Sequence, residues 1–158
     1  MTRILGVLLL STFVAISALT VKAQDWRQIV PLKTTRTEVE RLLGPSKEAY
    51  YADYQLPEGH LFIEYSSGPC RPNRKGGWNV PENIVVSMSL SPKHPETVHE
   101  LKLNSKKFRK VTGQHLPSVT YYINDEDGIT YAIQQGKVDY VEYGPPKKYD
   151  NLYCKDQP

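Results

Sequence analysis

Four histidines, at positions 60, 94, 99 and 115, are the first residues to weigh for chemistry, because imidazole serves both as metal ligand and as proton carrier. None falls in an HExxH pair or a Cys/His array, so the spacing supports no zinc site, and they read as surface or turn residues. Asn124-Asp125-Glu126-Asp127-Gly128 sets closely spaced acids before a glycine, as a calcium loop does, yet it lacks the alternating ligands and the distant bidentate glutamate. It reads as a polar hairpin turn. Ser66 and Ser67 precede Gly68-Pro69 without forming GxSxG, and Gly76-Gly77 has no Lys-Ser/Thr after it to make a phosphate loop. A glycosidase needs only two carboxylates, and 17 acidic residues leave that chemistry open, although a small open sheet gives little depth to a substrate cleft. The reading is therefore a non-enzyme with no cofactor and no metal. Its alternative is a small secreted hydrolase acting on wall glycans or peptides.

Two groups of residues suit binding. Segment 66–83 is rich in Gly and Pro and combines Arg71, Arg74, Lys75 and Trp78, and arginine with aromatic side chains is the pairing most enriched among interface anchors. Long loops in compact domains often serve recognition. A second reading of Trp78 stays open, as a hydrophobic plug folded onto the sheet and held by Cys70. The other group is the tyrosines expected on an outward sheet face, Tyr51 and Tyr122 among them. Such rings bind a peptide or glycan, or simply fill cross-strand pairs.

Residues 1–23 bear on where these groups work. Met1-Thr2-Arg3 is a positive lead, Ile4 to Leu19 carries no charge, and Val21-Lys22-Ala23 offers small residues before Gln24, the pattern of a secretory signal peptide. The apolar run is shorter than the ~20 residues that span a bilayer, so no stable membrane insertion is expected after cleavage. The expected address is exported, periplasmic or extracellular. Cleavage leaves 135 of the 158 residues as a single domain, 24–158, and removal of Arg3 and Lys22 lowers the formal charge from +3 to +1. Nucleic-acid binding through bulk charge is unsupported. Cys70 and Cys154 are the only cysteines, and an even pair in an oxidising compartment predicts a disulfide.

The elements that must position these residues follow from periodicity. Thr35 and Glu38 match a Thr-x-x-Glu capping box, Val39, Leu42 and Leu43 form an apolar stripe, and Gly44-Pro45 supplies a stop, which predicts a capped helix. Three alternating segments follow: Tyr50, Ala52, Tyr54 and Leu56, then Leu61, Ile63 and Tyr65, then Ile84, Val86, Met88 and Leu90. Their opposite face carries Asp53, Gln55, Glu64, Ser87 and Ser89, so the pattern predicts an antiparallel three-stranded meander with one wet face and one face against the helix. The tyrosine-rich composition also favours strands over a helical bundle.

In the second half, Val98 to Val111 reads as a short strand running into a helical turn capped by Asn104-Ser105. Val119, Tyr121 and Ile123, then Ile129, Tyr131 and Ile133, then Val138 to Tyr143 make another meander. The fold class is α+β, a capped helix packed on an antiparallel three-stranded meander, and the pattern admits two such units in tandem, 26–92 and 96–144. Sliding the chain by 69 residues lays Gly59 on Gly128, Tyr54 on Ile123 and Phe62 on Tyr131. The alternative is that any two antiparallel hairpins look alike in pattern.

Pro31-Leu32-Lys33-Thr34-Thr35-Arg36-Thr37-Glu38-Val39-Glu40-Arg41-Leu42-Leu43-Gly44-Pro45, followed by a Tyr-rich strand, resembles the opening of the SmpA/OmlA (BamE-like) envelope proteins. That family begins with a helix ending in Leu-Leu-Gly-x-Pro, whereas here Pro45 follows Gly44 directly. The resemblance implies the helix-plus-meander fold, whose tandem form is related to secreted β-lactamase inhibitor proteins. It also implies non-catalytic protein binding in the bacterial cell envelope, with another envelope or secreted protein as partner. No cysteine follows the apolar run to carry the lipid of the BamE-like lipoproteins. The chain as a whole also resembles exported bacterial proteins of unassigned function.

Overall fold

The computed structural model describes residues 26–71, 76–113 and 118–155. The signal-peptide reading of residues 1–23 lies outside the described residues, as do Arg74 and Lys75 of the binding candidates.

Helix α1 (Arg36–Leu43) starts where the capping box places it. The Thr35 amide donates to Glu38 Oε2 at 2.8 Å and the Glu38 amide donates to Thr35 Oγ1 at 3.3 Å. Two amides that the helix leaves without an internal partner are thereby satisfied. The Thr35 amide, together with the Thr35 hydroxyl that donates to the same Oε2 at 2.8 Å, holds the Glu38 carboxyl below its usual range. At the other end Gly44, at φ 98°, donates its amide to the Glu40 carbonyl. Arg36 then folds the next segment back: its Nη1 and Nη2 donate to the carbonyls of Ala49 and Ser46, while its Nε pairs with Glu40 at 2.8 Å. The apolar stripe is narrower than the sequence suggests. Val39 is fully buried and Leu43 packs on the core, but Leu42 is 43% exposed, because an eight-residue helix lying on a sheet offers it only the line through Val39 and Leu43.

Seven strands follow: β1 (Tyr51–Leu56), β2 (Gly59–Tyr65), β3 (Val85–Pro92), β4 (Arg109–Thr112), β5 (Val119–Asn124), β6 (Ile129–Gln134) and β7 (Lys137–Tyr143). They form one antiparallel sheet in the order β1-β2-β3-β7-β6-β5-β4, so the molecule is mostly β. The link between its halves is the β3–β7 pairing, with Met88 opposite Tyr143, Ser89 opposite Glu142 and Leu90 opposite Val141. From that contact β3-β2-β1 and β7-β6-β5 run outward in opposite directions.

The stretch 98–111 reverses the expected order, since a single helical turn, α2 (Val98–Leu101), comes first and β4 follows. The cause is a second capping box, Thr97 with Glu100, whose two bonds are 2.7 and 3.3 Å. Asn104 holds the next turn, accepting from the amides of Lys106 and Phe108.

Strand register assigns every side chain to a face. Tyr54, Leu61, Leu90, Val141, Tyr131 and Tyr122 form one continuous cross-strand row, and both apolar clusters lie on that face. One cluster is built on Leu61, Ile63, Val85 and Met88 under Val39, the other on Ile129, Ile133, Val138 and Val141 with Val98 and Leu101 against them; Tyr143 touches both. Full burial of each such aliphatic side chain contributes about 1.5–3 kcal/mol.

Three expectations change. A register irregularity at Glu64/Tyr65 puts Val85 opposite Tyr65, so Val85 takes the fully buried place that strict alternation gives to Ile84 and Val86. Tyr122 lies on the covered face, half-buried against the second cluster with the Lys110 ammonium 5.9 Å from its ring, so it is not an outward tyrosine. The 69-residue shift pairs covered Tyr54 with open-face Ile123, and open-face Phe62 with covered Tyr131, so the superposition it suggests reverses the faces.

Candidate functional site

The opposite row, Asp53, Phe62, Ser89, Glu142, Thr130, Ile123 and Arg109, crosses all seven strands. Neither α1 nor α2 packs on it, because both apolar clusters sit behind the sheet. At its β1–β2 end Tyr51 stacks on Phe62, with ring centroids 5.5 Å apart and planes at 27°. Both rings are over a third exposed, 39% and 37%. Next to them Ser87 Oγ donates to Glu64 Oε2 at 3.2 Å. Glu142 lies half-buried between Ser89 and Thr130, and burial first, then the Glu64 charge, holds its carboxyl above the usual range. Beside it, burial and the neighbouring Tyr121 hydroxyl push Tyr140 up to about 12.

The upper end of this face is closed by segment 144–154, a strap fastened at both ends. Gly144 and Lys147 donate their amides to the carbonyls of Gly128 and Asp125 at 2.7 and 2.9 Å. Gly128, at φ 67°, has no room for a Cβ, which would strike the Gly144 carbonyl. After a 3-10 turn (Lys147–Leu152), Asn79 donates to Leu152 O and Cys154 to Gly77 O, and the Cys70–Cys154 disulfide locks the end with Cα atoms 5.6 Å apart. The disulfide is the pair that the sequence predicts. Trp78 belongs to this clasp: its ring meets Tyr153 edge-on at 5.3 Å, and the two residues form a β-bridge. Arg71 is exposed beside the disulfide.

Two clefts lie here, one between the strap and the sheet and one along residues 64–70 and 76–78. The larger, about 300 Å³, has Glu142, Thr130 and Ile123 for its floor and Asp125, Lys147 and Asp150 in its walls. The second, about 250 Å³, runs from Glu64 to Trp78 and the disulfide. The Ser66 hydroxyl in the second is engaged with Gly68, whose amide donates to it at 3.1 Å. His60 pairs with Asp53 at 2.6 Å in the first hairpin. In the 124–128 turn, Asn124 and Asp127 bond each other, and Asp125 takes two bonds from Arg109 at 2.8 and 3.2 Å. Among the described residues no group of three or more His, Cys, Asp or Glu is placed to hold a metal ion.

Of the sequence candidates, Tyr51 is on the open face, Trp78 and Arg71 are at its upper margin, and Tyr122 is behind it. Sequence reasoning does not single out Phe62, Glu64 or Glu142. Their only signal is alternation, which marks a wet face without showing that Glu142 is half-buried. Among the described residues no helix is long and apolar enough to cross a membrane. No family model, curated protein or solved structure matches the chain.

Proposed function

We propose that this chain is an exported, non-catalytic protein-binding module of the bacterial cell envelope, and that it binds through the open face of its sheet. The observation that carries this reading is the exposed Tyr51–Phe62 stack on a face that neither α1 nor α2 covers. Rigid aromatic area on a flat strand surface is what interface anchors are made of. The finer architecture belongs to the same reading: two helix-plus-meander units in tandem, one led by each Thr-x-x-Glu box and fused at β3–β7. So does the BamE-like resemblance, together with export under a signal peptide cleaved after Ala23. The test is capture from envelope extract by wild type and by a Tyr51→Ala/Phe62→Ala variant. A partner held by wild type and lost at least tenfold by the variant, about 1.4 kcal/mol, supports it. Equal capture by both moves the binding surface elsewhere, with Trp78 and Arg71 next to be replaced.

One feature favours a small secreted hydrolase instead: the raised Glu142 carboxyl at the floor of the larger cleft, with Glu64 on the same face. A glycosidase uses two carboxyls, one of them raised in pKa to act as the acid. Release of soluble fragments from purified wall material by wild type, abolished by Glu142→Gln, would establish that activity in place of binding.

A further inference from the structure

The larger cleft is more than a gap beneath the strap. Its floor runs from the Ile123 side chain to the Glu142 carboxyl with the Thr130 hydroxyl between them, so one end is apolar and the other anionic. The surrounding cations are engaged: Arg109 pairs with Asp125, and Lys147 lies 3.3 Å from Glu126. Among the described residues neither Glu142 nor Asp150 has a cation within ion-pair distance. A half-buried carboxylate with no described cation beside it is costly for a fold to keep, and a cation delivered from outside offsets that cost. A chain of net positive charge thus carries a local anionic pocket on its open face.

We propose that this cleft is an anchor pocket for one cationic side chain, lysine or arginine, of a protein partner seated on the open face. The proposal rests on the binding-module reading and names the chemistry of the partner. About 300 Å³ admits a long side chain, the Ile123 end receives its methylene stem, and Glu142 receives its charge, with Thr130 positioned to accept a further hydrogen bond. The Tyr51–Phe62 stack, at the other end of the same face, meets the apolar part of the partner. The strap gives the pocket its wall, and its tie from Lys147 to the Asp125 carbonyl sets the width.

The probe is the blocked tripeptide acetyl-Gly-Arg-Gly-amide, titrated into ¹⁵N-labelled protein, with the citrulline tripeptide as the uncharged isostere. Saturable amide shifts at Thr130, Glu142 and Asp125 are expected from the arginine peptide, with at least tenfold weaker binding of the citrulline peptide. Glu142→Gln should weaken the arginine peptide at least tenfold while the spectrum keeps its dispersion. Thr130→Arg, which fills the cleft with a guanidinium of its own, should do the same with the carboxylate intact. Equal response to both peptides, shifts confined to other parts of the sheet, or undiminished binding by Glu142→Gln would overturn the proposal. If the peptides fail while Tyr51→Ala/Phe62→Ala still loses the captured partner, the anchor pocket falls and the binding module stands. If both fail, the open face is not the binding surface, and the anchor pocket falls with it.

Discussion

Replacing both cysteines, Cys70→Ser with Cys154→Ser, separates what the disulfide does for the whole fold from what it does for the strap. The bond closes a sequence separation of 84 residues, and in the chain-entropy model its removal frees about 4.5 kcal/mol of denatured-state entropy. Locally the clasp keeps two backbone hydrogen bonds, Asn79 to Leu152 and Cys154 to Gly77, each contributing about 1 kcal/mol, and the Trp78–Tyr153 edge contact. The native strap should therefore stay in place while global stability falls by about 3–5 kcal/mol. Urea unfolding followed by far-UV circular dichroism reads the global term, and, in a Trp26→Phe background that leaves Trp78 as the only tryptophan, fluorescence below the transition reads the clasp. A loss under about 1 kcal/mol would refute the reasoning, because a loop of this length would then be constrained in the denatured chain by something other than the bond. Red-shifted Trp78 emission before unfolding would show instead that the hydrogen bonds and the ring contact cannot hold the clasp alone.

Two further outcomes follow from burial and charge. Val39→Ala should cost about 2 kcal/mol through lost burial and a residual cavity, whereas Leu42→Ala on the same helix should cost under about 1 kcal/mol, both read by denaturant midpoints; the reverse ranking would put the wrong side of α1 on the core. Glu142 has a raised carboxyl pKa in the fold, so its folded form binds the proton more tightly, and stability falls as pH rises from the ordinary carboxylate range through that raised value. Glu142→Gln should accordingly be at least as stable as wild type at pH 7 and lose that component of pH dependence, checked by melts from pH 4 to 8.

Legibility in the sequence tracked the range of the interactions involved. Thr35, Glu38 and Gly44 mark α1 correctly because a cap is made within a few residues. Thr97 and Glu100 carry the same local signal, and reading it would have placed α2 before β4. The open-face carboxylates were visible only as polar positions in an alternating strand. Nothing local distinguishes Glu64, Glu142 and Asp53, since their differences come from which strands and which strap lie beside them.

The sequence by itself determined the capped first helix, the predominance of strands, the hairpin about Asn124–Gly128, and the one pair of cysteines able to bond. Each depends on composition, on period or on residues close in the chain. Only the tertiary structure decided that β7 joins β3 to make one sheet, that Tyr121 faces outward and Tyr122 inward, and that segment 144–154 crosses the end of the open face to wall the cleft over Glu142. Strand side chains alternate with a period of two, so a one-residue register choice reverses every face. That choice is made by the long-range pairing of whole strands and by the total apolar surface they bury together, which no stretch of the chain contains alone.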